Sequence, residues 1–172
     1  LKGDLANLVV RDLDLVEATE VSSNVWFAHA ALEAGPEAMV EAARRLHLDT
    51  TFDIGLPMVA GQVNGGDGTL AGFESEVELA SAGFGQGEVL VTPLHMALVS
   101  AVIANGGVLM EPSLVDRMVD EGRQVTRGPR TIGRVMSSAV ASAIRDAMTA
   151  AVEGEFAGPY AGGAKVPGVR TA

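Results

Sequence analysis

Three consecutive polar residues, Ser22, Ser23 and Asn24, interrupt two stretches of helical pattern. Placed where a helix begins, a hydroxyl and a carboxamide need not be spent inside the helix and can face a ligand. The plainer reading is that one serine caps free amide groups, which Ser and Asn do readily. Taken alone, the tripeptide does not decide between them. His29, His47 and His95 fall on separate predicted helices without the paired spacing of a metal site. Each is expected to be a surface or half-buried residue, and no metal is predicted. Trp26 and Phe27 adjoin the trio and could line a cleft, although aromatic side chains on an apolar helix face usually pack into a core. Gly83, Gly85 and Gly87 punctuate a GFGQGE segment that matches neither the dinucleotide fingerprint nor the lysine-containing phosphate loop. Tight turning is the expectation there, and no nucleotide or other cofactor is implied.

The elements that must position these residues read as mainly helical. After the trio, Val25, Ala28 and Leu32, with Phe27 and Ala31 beside them, form an apolar face of helical period that Gly35 stops. Pro36 opens a further helix running to about Leu46. From Thr51 to Phe84 glycines are frequent and no period is sustained, which predicts a long loop. Loops of that length are uncommon and often functional. Thr92 followed by Pro93 is a strong helix start, and Asn105, Gly106 and Gly107 end that helix. Leu94, Ala97, Leu98, Ala101 and Val102 repeat at helical spacing, so the helix is expected to be buried on most sides. Residues 113–119 and 124–126 flank an Asp120, Glu121, Gly122 turn, predicting a short hairpin. A last helix, capped by Ser137 or Ser138, carries a stripe of Val140, Ile144, Ala147, Met148, Ala151 and Val152 before Gly154.

With 172 residues, 48% of them hydrophobic and 20% charged, the composition suits a folded domain or a large part of one. A net charge of -10 with scattered basic residues argues against a nucleic-acid partner. The absence of cysteine removes disulfides and thiolate chemistry. The longest apolar run, Met96 to Ile103, is far below the roughly 20 residues that span a bilayer. Neither a starting methionine nor a signal-peptide pattern precedes the first helix, and both ends are expected to be cut from something longer.

Three separated segments carry a resemblance. They read EVSSNVWFAHAALEAGPEAMVEAARRLHLD, then ELASAGFGQGEVLVTPLHMALVSAVIANGGVLMEPSLV, then VMSSAVASAIRDAMTAAVEG. In order and spacing they resemble the transpeptidase domain of penicillin-binding proteins. The similarity is closest to the class B group, where a GFGQG-like turn precedes a Thr-Pro helix ending in ANGG. That family works with Ser-x-x-Lys, Ser-x-Asn and Lys-Thr-Gly. Only the second is present, at Ser22 and Asn24; the sole lysines, Lys2 and Lys165, fit neither of the others. The ending VPGVRTA resembles the strand residues that precede Gly-Lys-Thr-Gly in relatives. The resemblance therefore implies one partial domain, residues 1–172, truncated at both ends. It also implies the helical part of an α+β, β-lactamase-like fold: mainly α with a short β-hairpin.

By the same resemblance the parent enzyme would bind D-Ala-D-Ala stem peptides and β-lactams at the extracytoplasmic face of the bacterial cytoplasmic membrane, alongside other cell-wall synthesis proteins. Ser22 would hydrogen-bond the catalytic lysine and relay a proton, and Asn24 would hold substrate and lysine through its amide. Ser23, the variable position, would cap or pack. Without its own nucleophile, the chain alone is expected to be inactive. Lacking most of the sheet, it is also expected to be marginal, self-associating or dependent on another piece. Two alternatives are a catalytically dead scaffold module of the same family and an unrelated helical domain in which the trio is only a cap.

Overall fold

The computed structural model of the chain describes residues 12–66, 71–157 and 164–172. Six helices dominate: α1 (Leu15–Glu20), α2 (Asn24–Ala34), α3 (Pro36–Arg45), α4 (Glu76–Ala82), α5 (Pro93–Ala104) and α6 (Ser138–Glu153). Four short strands, β1 (Val108–Met110), β2 (Arg117–Asp120), β3 (Arg123–Thr126) and β4 (Thr131–Arg134), lie between α5 and α6. They form two antiparallel pairs, β1 with β4 and, between them in the chain, the hairpin β2–β3.

Capping explains most of the boundaries. Asp14 accepts from the Glu17 amide and Glu17 reciprocates, a capping box that starts the short α1. Gly35 closes α2 at φ 85° and its neighbour Pro36 opens α3. The Thr92 hydroxyl accepts from the His95 amide to start α5, and Ser137 caps α6 through the amide of Val140. At the hairpin tip, Glu121 and Gly122 both have positive φ, 45° and 82°, as a two-residue turn between twisted strands requires.

Three small cores hold the elements. Leu13, Ala18 and Val21 of the α1 region meet Trp26 and Phe27. Ala31, Phe73, Leu79 and Ala82 join α2, the preceding loop and α4. Leu98, Val102 and Leu109 join α5 to β1, with Leu46, Phe52, Val135 and Met136 packed around them. α1 lies along α6, and α5 packs against both α6 and β1.

Several expectations are corrected. The long loop contains a helix, α4, whose Ser75 hydroxyl accepts from the Glu78 amide at its start. The hairpin's first strand begins at Arg117 rather than Ser113, and β1 and β4 had no periodic signal, being three and four residues long. α5 is not buried on most sides. His95, Leu98, Val102 and Ile103 are buried, while Met96, Ala97, Ser100, Ala101 and Ala104 face outward. On α6 the buried positions are Ala141, Ala147 and Thr149, and Val140 is half exposed. On α2, Ala31 is buried but Val25 and Leu32 are exposed, because α4 covers only the Phe27–Ala31 side. Residues 166–169, expected as strand, make a turn closed by the Val169 amide on the Val166 carbonyl at 3.0 Å, with Gly168 at φ 79°. The Pro-Gly pair favours that turn.

Candidate active site at the junction of α1 and α2

The polar trio is built by two helix ends meeting. At the end of α1 the Ser23 amide donates to the Ala18 carbonyl at 2.9 Å and the Ser22 amide to the Thr19 carbonyl at 3.1 Å. This paired pattern is the Schellman motif, which places its middle residue in left-handed backbone. That residue is Ser22, at φ 55°, where glycine is the usual occupant. Ser23 immediately reverses role: its side chain is fully buried and accepts from the Trp26 amide at 3.3 Å, capping α2. Asn24 then occupies the first turn of α2 and is exposed.

The trio therefore alternates outward, inward, outward. The buried Ser23 serves the fold, and its two neighbours are left exposed at the junction. Among the described residues, neither the Ser22 hydroxyl nor the Asn24 amide is engaged by a protein partner. A hydroxyl that donates and accepts, and an amide that does the same through separate atoms, stand two positions apart at the positive end of α2. Such a pair can bridge a proton-carrying side chain and a carbonyl without adding charge.

The surroundings are stiff. Trp26 and Phe27 pack edge to face with ring centres 5.1 Å apart, and Trp26 Nε1 donates to the Leu13 carbonyl at 2.9 Å. Both are packing residues behind the junction, not cleft walls. Gly83 ends α4 against α2: a Cβ there would lie 2.6 Å from both the Phe27 carbonyl oxygen and the Ala31 side chain. In the same segment Gly85 and Gly87 take φ of 78° and 69° and turn the chain toward α5.

The three histidines separate. His29 is exposed on α2, and His47 is half-buried beyond the end of α3 rather than on a helix. His95 corrects the expectation of surface or partial burial, being 1% exposed. Its Nδ1 accepts from the Thr92 amide at 3.3 Å, so Nε2 carries the proton and donates to the Thr50 carbonyl at 2.9 Å. It is a structural pin between α5 and the loop after α3. Among the described residues no three His, Asp or Glu side chains gather as a metal would require. No described helix is long and apolar enough to cross a membrane.

One residue escaped sequence reasoning. Glu20, the last of α1, accepts a hydrogen bond from the backbone amide of Phe156 just past α6. Its only trace in the sequence is a carboxylate two positions before Ser22.

The helical lobe, with a serine and an asparagine exposed where α2 begins, is matched to a family by comparison with known proteins. The profile of the penicillin binding protein transpeptidase domain matches residues 6–172, and the chain belongs to that family. It is 31% identical over 141 residues, 81% of its length, to the peptidoglycan D,D-transpeptidase PbpA of Mycolicibacterium smegmatis. Among solved structures it is similar to penicillin-binding protein A from M. tuberculosis as an imipenem acyl-enzyme complex, at TM-score 0.77 and 27% identity, over 92% of this chain and 34% of that one. The D,D-transpeptidase domain from Eggerthella lenta superposes at TM-score 0.78 and 26% identity, over 92% of this chain and 40% of that one. The chain spans about a quarter of the length of the curated relative from M. smegmatis, 28%. The architecture is that of the helical part of these domains.

Proposed function

We propose that the protein containing this chain is a peptidoglycan D,D-transpeptidase in which residues 1–172 are part of a single transpeptidase domain and Ser22 and Asn24 belong to the active site. The observation that carries this reading is the outward presentation of both side chains around a buried Ser23, with Ser22 held in left-handed backbone. A structure with only a cap to satisfy would gain nothing from a serine at that φ. The imipenem acyl-enzyme complex of the M. tuberculosis relative supports an acyl-enzyme as the intermediate.

In the proposed reaction a serine outside this chain attacks the penultimate carbonyl of a D-Ala-D-Ala stem peptide. The peptide C–N bond breaks, and the terminal D-Ala leaves as the amine with a proton. An acceptor amine then attacks the ester, forming the cross-link and returning the proton to the serine. Ser22 passes the proton between a lysine and the leaving nitrogen, since a hydroxyl can accept and donate in one step. Asn24 orients the substrate carbonyl with its amide N–H and the lysine with its oxygen. β-Lactams would acylate the same serine. The site lies on the outer face of the cytoplasmic membrane, where the cross-linked polymer is made.

Labelling of the complete protein with a fluorescent penicillin tests this. Asn24→Ala should slow acylation about a hundredfold, as loss of one preorganised amide donor does elsewhere. The 172-residue chain alone should not label. An Asn24→Ala protein that labels at the unmodified rate would remove these residues from the site.

A further inference from the structure

The end of α6 ties together two parts of the chain that are remote in sequence. From one side comes Glu20, whose carboxylate accepts the Phe156 amide and lies so close to Gly154 that a Cβ there would overlap its Oε1. From the other comes Thr171, whose hydroxyl donates to Glu153, the last residue of α6, at 3.0 Å. Glu20 and Glu153 thus each accept a hydrogen bond at the C-terminal end of α6, where the macrodipole disfavours negative charge and where α6 has no basic residue in its last turn. Helix stability alone would place a lysine or arginine at that end. The arrangement calls for an explanation outside α6.

The geometry of α1 supplies one. With six residues it is too short to hold a direction by itself. Its flank lies along α6 and its C-terminal end is packed through the buried Val21, while the Glu20 carboxylate, which accepts the Phe156 amide, ties that end directly to the backbone beyond α6. A carboxylate accepting a backbone N–H is a strong, directional tie. Ser22 follows Glu20 by two positions through the hydrogen-bonded turn, so a shift of that carboxylate is passed to the hydroxyl. The Glu153–Thr171 bond ties the terminal segment to the same helix end.

We propose that Glu20 is a positioning residue for acyl transfer, holding the Ser22 hydroxyl in register by anchoring the end of α1 to the backbone beyond α6. A Cβ at Gly154 would meet both that carboxylate and the Ala150 carbonyl oxygen, so glycine leaves room for the tie. The inference rests on the assignment of Ser22 and Asn24 to the active site.

The test uses the complete protein and separates penicillin binding from the acylation step by stopped-flow labelling. Glu20→Gln keeps an acceptor oxygen at the same length and should acylate within about threefold of the unmodified rate. Glu20→Met keeps the volume but not the acceptor, and should lose about tenfold or more in the acylation rate constant with little change in the preceding binding constant, as expected for a small misplacement. Gly154→Ala should also slow acylation, since its Cβ would crowd the carboxylate as well as the Ala150 carbonyl oxygen, and the double variant should be no slower than either single one. Should Glu20→Met fail to fold, Gly154→Ala carries the same comparison. Equal rates for Gln, Met and Gly154→Ala, alongside a slowed Asn24→Ala, would overturn the role of Glu20 alone. Equal rates for all four would instead overturn the site assignment beneath it.

Discussion

Among the described residues four non-glycines sit in left-handed backbone, and two of them mark reversals between consecutive elements: Ser22 at φ 55° between α1 and α2, and Glu121 at φ 45° between β2 and β3. Their backbones are alike and their surroundings are not. Ser22 follows the buried Val21 and precedes the fully buried Ser23, with Trp26 and Phe27 packed behind. Glu121 tips a hairpin in which every strand residue is exposed, held by its own ladder and by the Glu111 carboxylate that pairs Arg127 and Arg130 at its base. Strained backbone can aim a side chain only where the surroundings over-determine it. The junction meets that condition, while the hairpin merely turns.

The contrast can be broken hardest at the core. Phe73 is fully buried between α2 and α4, and Phe73→Ala should cost about 3–5 kcal/mol in urea unfolding of the complete protein. Met118→Ala on the hairpin, 63% exposed, should stay within about 0.5 kcal/mol. Comparable losses at both positions would mean that the hairpin is a structural member of the lobe. Next comes Gly83→Ala. Because Gly83 has φ -57°, the substitution carries no backbone strain, and its cost of about 1–3 kcal/mol comes from the Cβ meeting the Phe27 carbonyl and Ala31. An unchanged denaturation midpoint would show that α2 and α4 are not in close contact.

Ser22→Gly sharpens the comparison from the other side. Glycine relieves the left-handed penalty of roughly 1–2 kcal/mol but loses more chain entropy on folding, so stability should rise by up to about 1 kcal/mol. Penicillin labelling should nevertheless fall steeply. A variant that is more stable and less reactive is the signature of a residue kept for chemistry at the expense of the fold. Lower stability with full labelling would mark Ser22 as structural.

What could be read from the sequence follows the reach of each signal. Thr92 with Pro93, Gly35 with Pro36, the Ser22 to Asn24 interruption and the Glu121–Gly122 turn act over one to four residues, and each lies where expected. α4 has only seven residues inside a glycine-rich stretch, so no period could build up, although Ser75 with Glu78 three positions later was its local mark. β1 and β4 pair across more than 20 intervening positions, and nothing in three or four residues announces a partner at that distance. The burial of His95 depends on the Thr50 carbonyl 45 positions earlier, and the Glu20 tie spans 136. The trio's place was legible because its two helix caps are local; the Glu20 and His95 ties were not, because each joins residues far apart in the chain.

The smallest effect is the cleanest control. Glu121→Asn keeps a side chain but replaces it with one that tolerates left-handed backbone, and Asn-Gly is the favoured pair for a two-residue hairpin turn. The gain should be about 0.5 kcal/mol, within the spread of turn substitutions. Because both hairpin strands are exposed and no described core cluster includes their residues, the gain should be confined to hydrogen exchange of the β2–β3 amides, such as those of Met118 and Val125. Penicillin labelling should not change. If stiffening this tip altered the acylation rate, the hairpin would be coupled to the α1–α2 junction, and the division between a reversal that aims chemistry and one that only turns the chain would have to be abandoned.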